Sequence, residues 1–356
     1  MKRRKSRIIS IGEVKIGGSH PVAIQSMTNT KTHDVKATIK QIKQLQKLGC
    51  EIIRVSIPDK QSAAAITEIR KGIDIPFVAD IHFDWRMAIE SMKMGVDKIR
   101  INPGNIGPSK YVEEIIEMAK KTKTPVRIGV NAGSLEKDLW KKYGRPSAEA
   151  LAESALRWVD FFEKRGHELL VLSLKSSRVP EMVEAYRLIS NKCDYPLHLG
   201  VTEAGTMLAG SVKNAMGIGI LLHEGIGDTI RVSLAEDPAK EIPVCKEILK
   251  GLEMYQKERA IIACPSCART EIDLFKLVKE VEKKTKNLKK PVKIAVMGCV
   301  VNGPGESIEA DYGVAAGRGA GVIYRKGKIV KTAKEEDLLK DLLTEINKDF
   351  PEIKIG

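Results

Sequence analysis

Aromatic residues are scarce in this chain, although its charge is strongly positive. Phenylalanine, tyrosine and tryptophan make up 4% of the 356 residues, whereas the formal net charge is +14. A basic balance by itself is compatible with nucleic-acid binding. Proteins that hold single strands, however, stack bases on aromatic side chains, and too few are present here for such platforms. The composition therefore argues against nucleic acid as the partner.

Long apolar runs are also missing. No uninterrupted hydrophobic segment approaches the roughly 20 residues that span a bilayer, so we expect no membrane association. The N-terminus is basic, but the apolar core of a secretory signal does not follow it. We therefore expect a soluble cytoplasmic protein, in a compartment where its cysteines stay reduced.

Three cysteines lie in the last hundred or so residues, and neither a histidine nor a fourth cysteine lies near them. Cys264 and Cys267 form a Cys-x-x-Cys pair, Cys299 follows in a Gly- and Pro-rich run, and no histidine lies beyond Cys267. A closed zinc site takes four such ligands, and the nearest oxygen ligand is Glu306. Three thiolates and one carboxylate suit a [4Fe–4S] cluster with one exchangeable iron. Structural zinc and a redox dithiol remain alternatives, but the dithiol leaves Cys299 without a role.

Strand-like and helix-like segments alternate through the first two thirds of the chain. The predicted strands are 21–27, 52–57, 76–81, 98–102, 126–130, 169–174, 197–201 and 229–234. The helical segments between them are 35–48, 62–71, 85–94, 111–121, 148–165, 180–191, 207–223 and 238–254. Eight strand–helix units predict an α/β fold, a (β/α)8 TIM barrel, with a doubly wound open sheet as the alternative.

Polar residues recur at every second position of these strands, which places them on one face of the sheet. They are Arg54, Asp80, His82, Lys98, Arg100, Asn102, Arg127, Asn131, Ser173, Lys175, Thr229, Arg231 and Ser233. If this face lines the barrel, four arginines and a lysine converge at its mouth, a costly arrangement unless a polyanion completes it. The arginine fork suits phosphate. In the alternative, the arginines point outwards and pair with helix carboxylates.

Glu203 follows the seventh predicted strand and lies beside this basic cluster. It is the candidate general acid or base, although a carboxylate at a helix start can also be structural. We assign residues 1–258 to the barrel and residues 259–356 to a smaller α+β iron–sulfur domain. In the second domain we predict a connection at 255–263 leading in, helix 272–284, strand 292–297, a glycine-rich strand with turns at 311–323, and helix 335–347.

The Arg-bearing strands together with the runs 201–205, 227–229, 264–267 and 298–306 resemble those of the bacterial 4-hydroxy-3-methylbut-2-enyl diphosphate synthases. The similarity covers nearly the whole chain and is to the compact two-domain form of these iron–sulfur enzymes. It implies a two-electron reductive ring opening of 2-C-methyl-D-erythritol 2,4-cyclodiphosphate. That reaction belongs to the methylerythritol phosphate route to isoprenoids.

The same resemblance implies roles for individual residues. Glu203 would donate a proton, and the cluster would be ligated by Cys264, Cys267, Cys299 and Glu306. The diphosphate would be held by Arg54, Arg100, Arg127, Asn131, Lys175, Arg231 and Ser233. We add Asp80, His82 and Asn102 to the substrate site, chiefly from strand alternation. Two other functions remain open: a zinc-stabilised nucleic-acid-binding protein, and a different phosphate-binding barrel enzyme with a structural cluster.

Flavodoxin and ferredoxin are both plausible electron donors for a basic surface. The chain between residue 254 and Cys264 reaches at most about 33 Å when fully extended. The mouth of a barrel lies at the end opposite to the end of its last helix. We therefore predict a head-to-tail homodimer in which each cluster domain caps the partner's barrel, an assembly that the resemblance also implies.

Overall fold

The computed structural model describes residues 2–255, 257–288, 290–299, 305 and 308–353. By the density of contacts the chain divides into two compact units, Met1–Met254 and Tyr255–Gly356. Each unit has its own sheet and its own hydrophobic core. No helix in the described ranges combines the length and the apolarity that a membrane crossing needs.

The first unit is a barrel of parallel strands, as predicted. A short hairpin comes first, followed in the described residues by eight barrel strands: β1 (Ile9–Ile11), β2 (Val14–Ile16), β3 (Ala23–Met27), β4 (Ile52–Ser56), β5 (Phe77–Asp80), β6 (Lys98–Ile101), β7 (Val126–Asn131), β8 (Leu170–Lys175), β9 (His198–Leu199) and β10 (Thr229–Ile230). Neighbouring strands follow the order β8-β7-β6-β5-β4-β3-β10-β9. A parallel bridge between Leu172 and Leu197 joins the two ends of this sheet. The (β/α)8 prediction is confirmed.

Helices follow the strands where the apolar spacing predicted them. They are α1 (Val35–Leu48), α2 (Lys60–Lys71), α3 (Trp85–Lys93), α4 (Pro103–Ile106), α5 (Ser109–Thr122), α6 (Lys137–Tyr143), α7 (Ala148–Glu163), α8 (Val179–Ser190), α9 (Met207–His223) and α10 (Glu241–Gly251). Capping side chains explain several of the starts: the Asp34, Asp59 and Ser147 side chains each accept a backbone N–H from the first helical turn. The short helices α4 and α6 were not predicted. The helix predicted at 238–254 begins as a 3-10 turn and ends at Gly251.

The hairpin β1–β2 closes the barrel at the amino ends of its strands. Ile9, Ile11 and Ile16 are buried against residues near the starts of the barrel strands, namely Ala23, Ile52, Val78 and Val171. Because this apolar plug fills the lower lumen, the polar lumen residues lie above it, towards the carboxyl ends of the strands.

The seam between β9 and β10 is shorter than the strands predicted at 197–201 and 229–234. The Asn214 side chain, buried on α9, replaces part of the ladder. It accepts the Val201 N–H at 3.2 Å and donates to the Ser233 carbonyl at 3.3 Å. Arg231 and Ser233 therefore follow the regular part of β10 instead of lying within it.

The N-terminal residues Arg3 and Ser6 bind to this seam through one buried carboxylate, that of Asp228. Asp228 accepts the Leu197 N–H at 2.8 Å, the Ser6 hydroxyl at 2.8 Å and the Arg3 guanidinium at 3.0 Å. Removing it leaves a buried backbone donor and a partly buried cation without partners, which is a costly state.

The second unit contains a mixed sheet and two longer helices in its described part. Its strands are β11 (Ala260–Ala263), β12 (Lys293–Met297), β13 (Tyr312–Gly317), β14 (Ala320–Arg325) and β15 (Lys328–Lys334), and its helices are α11 (Leu274–Thr285) and α12 (Leu338–Asn347). β11, β12 and β13 are parallel neighbours, whereas β14 and β15 are antiparallel. The helices pack on the sheet through a core that includes Leu274, Val281, Val296, Val314, Ile323, Leu342 and Ile346.

Two strands of this unit were not anticipated, and the single glycine-rich strand predicted at 311–323 is two antiparallel strands, β13 and β14. The connection predicted at 255–263 was wrong in its second half, because Ala260–Ala263 pairs with β12. β15 was missed because its first five residues are all exposed, so they carry no alternating apolar signal. The predicted helices at 272–284 and 335–347 and the strand at 292–297 match α11, α12 and β12 to within a few residues.

We predict that Asp228→Ala lowers the free energy of unfolding by about 3 kcal/mol, because it leaves the Leu197 N–H buried without an acceptor. Urea denaturation followed by circular dichroism measures this loss. Asp160→Ala, which removes an exposed pair with Lys164, is the control and should change stability by less than about 0.5 kcal/mol. Equal stability of the two variants would contradict the role given to Asp228.

Candidate functional site

Basic side chains gather in the lumen of the barrel. We call Arg54, Lys98, Arg100, Arg127, Lys175 and Arg231 the basic cluster. The register brings them together, because Arg100 on β6 pairs with Asp80 on one side and with Arg127 on the other. Paired residues of neighbouring parallel strands point to the same face. The predicted alternation thus puts these arginines inside the barrel, and Arg127 is 0% exposed.

Asp80 is the carboxylate that fixes two of these arginines. Its Oδ1 accepts from Arg100 Nη1 at 3.0 Å, and its Oδ2 lies 3.4 Å from Arg54 Nε. Burial by itself would raise the pKa of Asp80, but Arg54 and Arg100 outweigh it and hold that pKa below its usual range. Asp80 therefore stays ionised and aligns both guanidinium groups.

Arg231 is held by a second buried carboxylate, Glu241, which was not predicted. Glu241 Oε1 lies 3.3 Å from Arg231 Nη2 and also accepts the Leu234 N–H at 3.2 Å. The Glu241 side chain also accepts from the Ser26 hydroxyl at 3.3 Å. Glu241 begins α10, and because a glutamate at a helix start is ordinary, no sequence pattern indicated this role.

Many nitrogens of the basic cluster have no hydrogen-bond partner within the part of the chain that the structure describes. They are Arg54 Nη1, Lys98 Nζ, Arg100 Nε, Arg231 Nε and all three side-chain nitrogens of Arg127. Buried polar groups are almost always paired in folded proteins. The four arginines of the cluster already outnumber the carboxylates of Asp80 and Glu241, which leaves an excess of positive charge, so the site fits a polyanion.

Burial and mutual repulsion also act on the protonation of this cluster. Burial lowers the pKa of Arg54 to about 9, against the opposing effect of Asp80. Burial lowers the pKa of Lys175 well below its usual value, and the neighbouring arginines lower it further. An anion bound here would relieve the repulsion and restore the charged forms.

The remaining predicted residues lie at the carboxyl ends of the strands. Ser56 Oγ and His82 Nε2 are 2.7 Å apart, Asn102 is buried at the start of α4, and Asn131 ends β7. Glu203 is exposed in the turn after β9 and has a φ of 52°, in the left-handed region. Such backbone conformations in a non-glycine residue cluster at functional sites.

In the second unit the three late cysteines line one concavity. Cys264, Cys267 and Cys299 surround a cavity of about 90 Å³. The Gly298 N–H donates to Cys264 Sγ at 3.2 Å. Hydrogen bonds from the backbone and side chain of Arg269 lower the pKa of the Cys267 thiol. Within the described residues these thiols do not form a group that holds a metal ion as they stand, but three cysteines are donors of the type that an iron–sulfur cluster takes. Glu306, the predicted fourth ligand, lies outside the described residues, so its position stays a prediction.

The other cysteines do not join this concavity in the described structure. Cys50 and Cys245 are buried in the barrel unit and Cys193 is half-buried there. Fold and sites together define a class of protein: a (β/α)8 barrel with a buried basic cluster, followed by a domain in which three cysteines line one concavity.

Comparisons with known proteins identify the family within this class. Residues 6–246 match the GcpE TIM-barrel domain and residues 260–348 match the GcpE protein C-terminal domain. A relative from Caldanaerobacter subterraneus subsp. tengcongensis is 57% identical over 97% of this chain and 98% of its own length. One from Fusobacterium nucleatum subsp. nucleatum is 54% identical over 98% of each chain. Both are named 4-hydroxy-3-methylbut-2-en-1-yl diphosphate synthase (flavodoxin). The chain belongs to the GcpE family, which confirms the resemblance seen in the sequence.

Solved structures show the same barrel in more distant proteins. The 7,8-dihydropteroate synthase from Vibrio fischeri ES114 has a TM-score of 0.51 at 15% identity, and the match covers 70% of this chain and 99% of that one. The wild-type HPPK-DHPS of Plasmodium falciparum has a TM-score of 0.51 at 13% identity, over 70% and 50% of the two chains. At such identities the likeness concerns the fold alone.

Gly129 on β7 leaves room for the Arg100 guanidinium, and we predict that Gly129→Ala weakens anion binding. A Cβ at this position would lie 3.0 Å from Arg100 Nε, so the guanidinium must shift. The dissociation constant for inorganic diphosphate, measured by calorimetry, should rise about tenfold. Gly133→Ala is the matched control, because a Cβ there has no neighbour within 4 Å in the described structure. Equal affinities would exclude Arg100 from the anion site.

Proposed function

We propose that this protein catalyses the reductive ring opening of 2-C-methyl-D-erythritol 2,4-cyclodiphosphate to 4-hydroxy-3-methylbut-2-enyl diphosphate, a step of the methylerythritol phosphate route. The observation that carries the proposal is the set of buried, unpaired guanidinium nitrogens in the barrel lumen. They belong to a GcpE-family chain whose relatives carry the name of that synthase. A small ring with two phosphates supplies the negative charge that this lumen lacks.

In this proposal the arginines of the basic cluster, together with Lys175, bind and orient the diphosphate. Arg54, Arg100 and Arg127 offer their unpaired N–H groups to phosphate oxygens. Asp80 fixes two of them before the ligand arrives, which reduces the reorganisation needed as charge develops in the transition state. Lys175, Arg231, Ser233 and Asn131 complete the diphosphate site, while His82 and Asn102 contribute at the strand ends.

The second unit would hold the redox group. We propose that Cys264, Cys267, Cys299 and Glu306 hold a [4Fe–4S] cluster. When bound, such a cluster supplies low-potential electrons and a Lewis-acidic iron for C–O bond cleavage. The Gly298 N–H bond to Cys264 helps to fix one sulfur ligand. A thiolate-bound cluster needs a reducing compartment, which favours the cytoplasm.

Glu203 is the proposed proton donor to the leaving oxygen. Its carboxyl group is exposed to solvent, from which it can regain a proton between turnovers. Its backbone φ of 52° lies in the left-handed region, a conformation that clusters at functional sites in non-glycine residues. For the electron donor we propose flavodoxin, which the names of the relatives include. A carrier of negative charge would be steered towards a chain with a net charge of +14.

The test of the function is turnover of the cyclic diphosphate by the anaerobically reconstituted protein with a chemical reductant. We predict activity in the wild type and a loss of about 100-fold or more in kcat/KM for Arg127→Ala, because buried charged hydrogen bonds to the diphosphate disappear. Arg187→Ala is the control, since Arg187 forms an exposed pair with Glu224. A reconstituted wild type without turnover, or an Arg127→Ala variant as active as Arg187→Ala, would refute the assignment.

We further propose that the protein acts as a head-to-tail homodimer. One side of α9 exposes apolar residues at four-residue intervals, Leu208, Val212, Met216 and Ile220, and Leu208 is 78% exposed. A contiguous apolar face of this kind is typical of a protein interface. We propose that a second copy of this chain covers this face. The chain between the last barrel helix and Cys264 is short, so a cluster domain reaches a partner's barrel mouth more readily than its own.

Mixing two inactive chains tests this assembly. Arg127→Ala has a defective barrel and Cys299→Ser a defective cluster domain, and each is predicted to be inactive alone. After random exchange of subunits, one intact site per heterodimer should restore about a quarter of the wild-type activity. Heterodimers that form, as shown by differently tagged chains, and remain inactive would contradict the arrangement in trans.

A further inference from the structure

Lys98 is a buried lysine of the lumen to which the proposed reaction gives no role. It begins β6, two residues before Arg100 on the same face, and its side chain is 0% exposed. Its Nζ has no hydrogen-bond partner among the described residues. An ammonium group in such a place loses its hydration without receiving an acceptor, which is unfavourable. In the free protein Lys98 is therefore either charged, at a high cost in free energy, or neutral.

The charged surroundings of Lys98 favour the neutral form. Arg54 on β4 and Arg127 on β7 both repel an ammonium at this position. On β5 its partner in the register is the apolar Val78, and the Asp80 carboxylate above is already bound to Arg54 and Arg100. On β9, His198 interacts with Lys98, but burial holds the pKa of His198 well below its usual value, so this imidazole adds no charge.

We propose that Lys98 is a positioning residue that is neutral in the free site and takes up one proton when the cyclic diphosphate binds. The inference rests on the proposed function, because it requires a phosphorylated ligand. The proton comes from solvent and forms the third N–H bond of the ammonium group. While neutral, Lys98 does not repel Arg54 and Arg127; once charged, it adds positive potential beneath the phosphates that they hold.

The sign of the resulting pH dependence follows from the causes of the shift. Burial lowers the pKa of Lys98 well below its usual value, and Arg127 and Arg54 lower it further. A bound diphosphate opposes the repulsion from these arginines, so the pKa of Lys98 is higher in the complex than in the free protein. Between the two pKa values binding takes up a proton, and affinity falls by up to tenfold per pH unit as the pH rises. Below the lower pKa and above the higher one, Lys98 causes no such dependence.

Lys175 belongs to the same cluster and also has a lowered pKa, so the total proton uptake includes its contribution. Replacing Lys98 by methionine keeps an unbranched side chain of similar length and removes only the titrating group. The difference in proton uptake between wild type and Lys98→Met is therefore the quantity that Lys98 determines.

The experiment is calorimetric titration of the oxidised holoenzyme with 2-C-methyl-D-erythritol 2,4-cyclodiphosphate. Without an electron donor there is no turnover. Repeating the titration at one pH in buffers of different ionisation enthalpy gives the number of protons taken up. We expect this number to fall by up to one in Lys98→Met, with an affinity about tenfold weaker. The control, Lys121→Met, removes an exposed lysine on α5 and should match the wild type in both values.

The outcomes separate the two proposals. A wild type that does not bind the cyclic diphosphate overturns the proposed function. A wild type that binds it with the same proton uptake as a folded Lys98→Met protein overturns the role of Lys98 alone. Should Lys98→Met fail to fold, the Lys175→Met protein decides, because the contribution of Lys175 is absent from it: we expect its affinity for the ligand to fall with rising pH in the window described. A flat affinity across that range, together with heats of binding that do not depend on the buffer, overturns the proposal.

Discussion

The buried contact of Asp80 with Arg54 and Arg100 is the interaction on which the site depends. Both guanidinium groups are almost wholly removed from water, and without the carboxylate they would repel each other across the lumen. Asp80 can hold them because its strand lies between theirs in the sheet order. One carboxylate thus turns two like charges into a fixed pair of anion receptors.

The rest of the first unit supports this arrangement at a distance. The hairpin β1–β2 seals the lower lumen with apolar side chains, so the polar layer above it is confined to the upper end. Asp228 and Asn214 complete the seam where the strand ladder is short, and Glu241 secures Arg231 beside that seam. A barrel closed in this way is rigid enough to keep several cations close together, a state that a flexible scaffold would relax by letting them separate.

Mutual repulsion between the buried positive charges of the free site favours the binding of a doubly phosphorylated ring. The unpaired nitrogens of Arg127 and the lowered pKa values of the buried lysines have the same physical cause, positive charge without enough acceptors. A diphosphate removes that cause in one step. In the proposed function the cysteines that line the concavity of the second unit hold the redox group, so that anion recognition and electron delivery reside in two compact units of the chain.

The sequence by itself determined the barrel, most of its helices and the face on which Arg54, Arg100 and Arg127 lie. Side-chain alternation along a strand and apolar spacing along a helix are local properties of the backbone, so a single sequence displays them. The spacing of the late cysteines likewise indicated a thiolate site before any fold was known.

Only the tertiary structure decided which of these residues meet. The pair of Arg231 with Glu241 and the hydrogen bonds of Asn214 across the seam join residues from elements that touch only after the barrel closes. The same closure isolates Lys98 in the lumen. β11 and β15 were missed for a related reason: their strand character comes from pairing with neighbours, whereas their own residues carry little apolar alternation. Contacts between segments far apart in the chain depend on closure and register, which no local pattern encodes.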